Sequence, residues 1–319
     1  MSDNKKIRLG IIGLGRMGKN HLNILSFLNS AEVKFVSDLD NKKNNNKNFL
    51  FTKNPFSLLK KVDGVIIATP TSTHFNIIKK LGKKVKNIFV EKPLAANFSE
   101  VKKIINFVKK NKINLRVGFI ERFNPAVQSL LKIIKKNQKI ISFDFTRTNP
   151  LSSRIKDVDV VIDLMVHDVD LAILFNGNVK FVKSYGYKKF GKIFYVTAIL
   201  QHENGVFSRI LTSRITQKKI RLINVVIENK YIECDLLRKE LYISKNTKVK
   251  DYSKKNFTYK NFGEVIETSH QEALLSELQA FINSCRGLNN KYLANHLHSH
   301  EVMRVCEKIQ KEIRLVTKR

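Results

Sequence analysis

The chain opens with a short, mostly apolar run, Ile7-Arg8-Leu9-Gly10-Ile11-Ile12, that passes straight into Gly13-Leu14-Gly15-Arg16-Met17-Gly18. Such a run reads as a strand buried on both faces. Beyond the glycines the apolar positions take helical spacing, with His21, Leu22, Ile24, Leu25 and Leu28 carrying much of one face. Further strands are expected at 33–38, ending in Asp38, at 63–69, at 87–90 and at 114–120. Helices opening at Pro70-Thr71-Ser72-Thr73-His74 and spanning 97–110 alternate with them. This alternation implies a parallel, doubly wound sheet.

After residue 120 the pattern changes. Helices are expected near 125–136 and 158–175, and alternation from Phe181 to Lys245 reads as strands, with turn signals such as Glu203-Asn204-Gly205 between them. Two helices, near 271–286 and 295–314, close the chain. The predicted architecture is an α/β Rossmann domain over 1–120 followed by an α+β domain over 121–319. The second domain is built on an open, mainly antiparallel sheet, and the final helices are placed to pack back on the first domain.

Composition narrows the classes. A chain of 319 residues with 43% hydrophobic and 27% charged positions can bury two ordinary cores. Cys234, Cys285 and Cys306 are odd in number and form no C-x-x-C pair, so neither a disulfide framework nor a thiolate metal site is indicated. No stretch has the roughly 18 apolar residues of a membrane span, and the broken N-terminal run is not a signal peptide; a cytoplasmic location is expected. The formal charge of +32 raises nucleic-acid binding. The lysines, however, are scattered as pairs such as Lys79-Lys80 and Lys102-Lys103 with no aromatics interleaved, so a solvated surface is the expectation and nucleic acid is not an expected partner.

The glycine run gains meaning from its context. Gly13 permits the tight turn, Gly15 lets the backbone approach a pyrophosphate, and Gly18 lets helix and strand pack closely. Asp38 lies at the end of the second strand, where a carboxylate binds ribose hydroxyls. Leu39 rather than arginine follows it, which favours NAD over NADP. Glu91-Lys92-Pro93 closes another strand at its carboxyl end, where ligands bind in open α/β sheets, and a lysine there can stabilise an alkoxide. Asp163 and His167 are one helical turn apart, with Asp170 on a similar bearing. A histidine in that setting suits proton abstraction from a hydroxyl; a structural polar cluster and a metal site are the competing readings, and no metal is expected. His296 and His300, also a turn apart, read as a solvated or packed face.

Taken together, Gly13-x-Gly15-x-x-Gly18-x-x-His21, Ala68-Thr69-Pro70 with His74, Glu91-Lys92-Pro93, Val117-Gly118 and Asp163-x-x-x-His167-x-x-Asp170 resemble, in order and over essentially the whole chain, the glucose-fructose oxidoreductase/inositol dehydrogenase family (Gfo/Idh/MocA). The resemblance implies an oxidoreductase with an N-terminal Rossmann domain, a nicotinamide cofactor, and a C-terminal sheet through which a homo-dimer or tetramer forms. It places Lys92, Asp163 and His167 on the family's catalytic positions. On this reading Gly13, Gly15, Arg16, Met17, Gly18, Asp38, Thr69, Pro70, His74, Glu91 and Lys92 hold the cofactor. A narrower likeness, carried by Glu121-Arg122-Phe123-Asn124-Pro125-Ala126-Val127 and by Arg154 ahead of Asp157-Val158-Asp159, is to the branch that includes UDP-N-acetylglucosamine 3-dehydrogenases, from which Asp159 and Met165 depart. For a nucleotide sugar, Arg122, Arg147 and Arg154 are candidate diphosphate contacts, with Asn124, Asp163 and His167 completing the substrate set. A dehydrogenase of a free sugar, inositol or sugar acid, and a non-catalytic dinucleotide-binding regulator, are the rival expectations.

Overall fold

The computed structural model describes residues 5–40, 49–134, 138–151, 159–251 and 256–315. The chain divides into two compact units, Met1–Phe123 with Gln271–Arg304, and Asn124–His270 with Val305–Arg319.

In the first unit the strands are β1 (Ile7–Ile12), β2 (Ala31–Ser37), β3 (Leu50–Thr52), β4 (Gly64–Ile67), β5 (Asn87–Glu91) and β6 (Asn114–Gly118). Helices α1 (Arg16–Ser26), α2 (His74–Leu81) and α3 (Phe98–Asn111) lie between them in sequence. All strand pairs are parallel, in the order β3-β2-β1-β4-β5-β6. The order reverses direction between β1 and β4, which makes the carboxyl ends of those two strands the expected place for a ligand. The strands form because their apolar runs are covered on both faces. Leu9, Ile11, Val36, Ile66 and Phe89 join one core with Leu25 of α1 and with Leu278, Phe281 and Ile282 from the later helix over Ala273–Cys285. Removing any of these large side chains from water contributes roughly 1.5–3 kcal/mol. Asn97 caps α3 by accepting from the Glu100 N–H, and Lys112 ends it in a left-handed conformation.

The second unit begins with α4 (Pro125–Ile133), whose first turn starts at a proline behind the Asn124 cap. Strand β7 (Ile140–Thr148) follows, then a π-helical turn over Val161–Met165 that runs into α5 (Val166–Asn176). Strands β8 (Val179–Lys189), β9 (Lys192–His202), β10 (Phe207–Ser213), β11 (Ile220–Ile227), β12 (Lys230–Asp235), β13 (Glu240–Asp251) and β14 (Asn256–Glu267) come next. The chain closes with α6 (Ala273–Cys285), α7 (His296–Glu312) and β15 (Ile313–Leu315), the division between units falling inside α7.

The nine-stranded sheet has the order β14-β13-β12-β11-β7-β10-β9-β8-β15. The β10–β7 and β15–β8 pairs are parallel and the rest antiparallel, so the sheet is mixed but mainly antiparallel. Strict alternation of buried and half-buried positions along β11 shows one covered and one open face. Helices α4 and α5 pack on the sheet. Two features differ from the sequence expectation. Strand β7 sits in the middle of the sheet with Phe143, Phe145 and Arg147 on its buried face, although the run was not singled out as a strand. The helix expected over 158–175 is instead a π-turn followed by an α-helix, and residues 152–158 lie outside the described residues.

Candidate active site

At the β1–α1 turn, Gly13 adopts φ +97° and donates its N–H to Ser37 O at 2.7 Å, which ties the loop to the end of β2. A Cβ on Gly18 would overlap the Gly13 carbonyl oxygen, so α1 can lie this close to the loop only with glycine there. Gly15, at the N-cap of α1, has open space where a side chain would begin. The first turn of α1 carries no acid and no side-chain cap, so its leading N–H groups are left for an anion. Arg16 is exposed and Met17 half-buried on that first turn.

Asp38 accepts Leu14 N–H at 2.7 Å and Asp40 N–H at 3.0 Å. The carboxylate thus braces the glycine loop at the end of β2. A cavity of about 470 Å³ opens beside it, walled by Gly13, Gly15, Asp38, Phe56, Thr69 and Pro70 among others. An open glycine approach, uncapped helix N–H groups and a strand-end carboxylate beside one cavity fit a dinucleotide's pyrophosphate and ribose.

The Glu91-Lys92-Pro93 segment follows β5 directly, and the Lys92–Pro93 bond is cis. Two of the residues expected to touch the cofactor here have other partners. Glu91 Oε1 lies 2.6 Å from Nε2 of His21, a residue with 0% exposure whose ring meets Phe89 edge-on at 5.6 Å. His74, 1% exposed, sets Nδ1 3.1 Å from Pro93 O and Nε2 3.0 Å from Thr69 O. Burial lowers the His74 pKa, against the two carbonyls, which raise it. A neutral ring donates to only one of those acceptors. Both side chains thus bond within the first unit, His74 to the Pro93 and Thr69 carbonyls and Glu91 through Oε1 to His21.

In the second unit, the π-turn presents Asp163, whose backbone N–H donates to Asp159 O at 3.1 Å. The Asp163 carboxylate is gripped by Arg214 Nη2 at 2.5 Å. Arg214, at the end of β10, is 4% exposed. Burial raises the carboxyl pKa of nearby Asp159, while the Val161 N–H, Gln310 and the Arg214 charge oppose the shift. His167 follows on the first turn of α5 and is half-buried.

The candidate diphosphate contacts fare differently. Arg147 and Asp168, each with a 4% exposed side chain, close a bidentate pair at 2.8 Å on both arms. Arg122, 2% exposed, donates to Tyr292 O and lies over the Phe119 ring. Asn124 caps α4 through Ala126 N and donates to Leu236 O. All three are buried and bonded within their own unit, and Arg154 lies outside the described residues. The residue that sequence reading passed over is Arg214: its link to Asp163 spans 51 positions and leaves no local pattern. His21 did leave a signal, a titratable group on the otherwise apolar face of α1.

Residues 7–119 match the family model described as an oxidoreductase family with an NAD-binding Rossmann fold. The chain is 26% identical over 286 residues to the UDP-N-acetylglucosamine 3-dehydrogenase of Acidithiobacillus ferrooxidans, covering 87% of this chain and 88% of that one. It is 29% identical over 181 residues to scyllo-inositol 2-dehydrogenase (NAD(+)) of Bacillus subtilis, but there the match covers 52% of this chain and 53% of the relative. A solved structure of the Acidithiobacillus ferrooxidans protein superposes with a TM-score of 0.86 at 23% identity over 97% of this chain and 98% of that one, which bears on the fold. Glycine loop and strand order agree with that match, and residues 7–119 form an NAD-binding Rossmann domain of the Gfo/Idh/MocA oxidoreductase type.

Proposed function

We propose that this oxidoreductase takes a hydride from the carbon bearing the 3-hydroxyl of a UDP-N-acetylhexosamine-type sugar. The observation that carries the reading is the reach of the similarity. In sequence, the match to the UDP-N-acetylglucosamine enzyme covers 87% of the chain, whereas the inositol dehydrogenases match 52% of it. Likeness that extends beyond the dinucleotide domain weighs more for the substrate than likeness confined to it, since one cofactor fold serves many activities.

NAD, when bound, supplies the hydride-accepting ring. Gly13, Gly15 and the first turn of α1 hold its pyrophosphate, and Asp38 its ribose. His167 takes the proton of the sugar hydroxyl as the carbon–hydrogen bond breaks, a role for which imidazole is suited near neutral pH. Asp163, fixed by Arg214, orients the sugar or the imidazole. Lys92 donates to the oxygen on which negative charge develops. The chain's own contribution is therefore placement of three groups and a fixed positive charge. Homo-oligomers built through the open face of the second unit's sheet belong to the same reading.

The experiment is direct. Protein incubated with NAD and UDP-N-acetylglucosamine should generate NADH absorbance and a 3-keto sugar by mass spectrometry, with myo- and scyllo-inositol inert. Turnover of the inositols without turnover of UDP-sugars overturns the assignment.

A further inference from the structure

Lys92 stands between two residues that are each tied to a buried histidine. On one side Glu91 Oε1 meets His21 Nε2 at 2.6 Å, and on the other Pro93 O meets His74 Nδ1 at 3.1 Å. At 0% and 1% exposure, neither ring can reach a ligand itself. Both come from helices that begin next to the cofactor cavity. His21 belongs to α1, which starts behind Gly15, and His74 opens α2 and touches Thr69 O at 3.0 Å; Gly15 and Thr69 both line the cavity.

Packing does not account for a histidine at position 21. A carboxylate only accepts, so Nε2 carries the proton, and Nδ1 is then left buried with no hydrogen-bond partner among the described residues. A leucine there would carry no such desolvation cost. What the imidazole adds is one short charge-assisted bond to the residue before Lys92.

We propose that His21 and His74 are positioning residues that fix the Lys92 ammonium relative to the cofactor cavity, His21 through the Glu91 carboxylate and His74 through the Pro93 carbonyl. The inference rests on Lys92 taking part in the reaction. Its reach is set by the steepness of catalysis with distance, since a misplacement of about 1 Å can cost on the order of a hundredfold.

The test uses the full-length protein and two readouts. The first is trace acetylation of Lys92 by acetic anhydride from about pH 7 to 11, followed by peptide mass spectrometry with the other lysines as internal references. The second is turnover of UDP-N-acetylglucosamine with NAD, beside NADH affinity by fluorescence. His21→Leu and His74→Leu should displace the Lys92 acetylation profile and lower kcat by about tenfold or more while leaving the NADH Kd within about twofold. His21→Gln, whose amide reaches the place of Nε2, should recover most of both. A folded leucine variant with the wild-type profile overturns the proposal, as does a fall in kcat matched by an equal loss of NADH affinity. If His21→Leu fails to fold, Glu91→Ala, at a partly exposed strand end, should give the same displacement, and an unchanged profile there overturns the His21 arm. Full turnover by Lys92→Ala would defeat the proposed reaction instead, and the acetylation profile still judges the clamp because it needs no turnover.

Discussion

Arg214 reaches across 51 positions of sequence to hold the carboxylate of Asp163 at 2.5 Å, with 5% of the arginine side chain and 28% of the aspartate side chain exposed. Its charge also faces Asp159, whose carboxyl group burial holds above the ordinary range. One guanidinium thus answers two acids, Asp163 on the π-helical turn and Asp159 just ahead of it. Such turns recur where a helix must present a side chain out of its regular phase.

Arg214→Met should therefore lower kcat by about tenfold or more and destabilise the fold by about 1–3 kcal/mol, because it leaves a mostly buried carboxylate without its counter-charge. Arg214→Lys, which keeps the charge but not the planar fork, should lie between the two. Steady-state kinetics and urea unfolding check both. A methionine variant as active as the parent would remove Asp163 from the machinery.

Gly18→Ala places a methyl group against the Gly13 carbonyl oxygen, so helix and loop must separate. Expected is a loss of NADH affinity of about tenfold or more and a stability cost of about 1–3 kcal/mol, read by fluorescence titration and by thermal unfolding. Gly15→Ala meets no protein atom within 4 Å, so it should retain the parent's stability and lose cofactor affinity alone. That contrast separates packing from binding at two glycines three residues apart.

The dinucleotide half was legible because its chemistry is local. Gly13, Gly15, Gly18 and Asp38 lie within one strand–helix–strand unit, and the apolar runs that make β1, β4 and β5 are continuous. The second half was less so. Strand β7 carries Asp144, Thr146 and Arg147 among its apolar residues, and it earns a central place in the sheet only through neighbours far along the chain, such as Phe207 and Val225. Charge is ambiguous in the same way. Arg122 and Arg147 look like ligands for an anion in a one-dimensional reading, but Tyr292 and Asp168 are folded against them. His74 follows β4 and Glu91 ends β5, and both side chains bond to groups of the protein itself.

Arg147 and Asp168 join β7 to α5 through two parallel hydrogen bonds out of contact with solvent. Breaking such a pair from one side strands a buried charge, so Arg147→Met should cost about 3–5 kcal/mol in urea unfolding. Replacing both, as Arg147→Met with Asp168→Leu, should return much of that loss, since two apolar groups need no counter-charge. The KM for a UDP-sugar should be unchanged in the double variant. A large rise in KM there would assign Arg147 to the substrate.

Stability should fall as the solution is made mildly acidic. Burial lowers the pKa of His74, His202, His296 and His300 below 6.5, most directly for the enclosed His74 and His202. When pH drops through 6.5 the unfolded chain takes up protons at these positions before the native state does. The slope of unfolding free energy with pH is then positive, and stability is lost from about pH 6.5 downward until the native rings also titrate. Asp159, whose folded pKa is raised, acts in the opposite sense at the acid end of that window, and Asp63, lowered by Arg8, withdraws its contribution only as pH falls below 3.8. Self-repulsion of a chain at +32 grows in the same direction as the histidine effect, so the urea midpoints at pH 7.5, 6.5 and 5.5 should be compared at about 0.5 M salt, where exposed charges are screened. A midpoint that holds steady or rises between pH 6.5 and 5.5 would show that the buried rings carry their protons into the folded state.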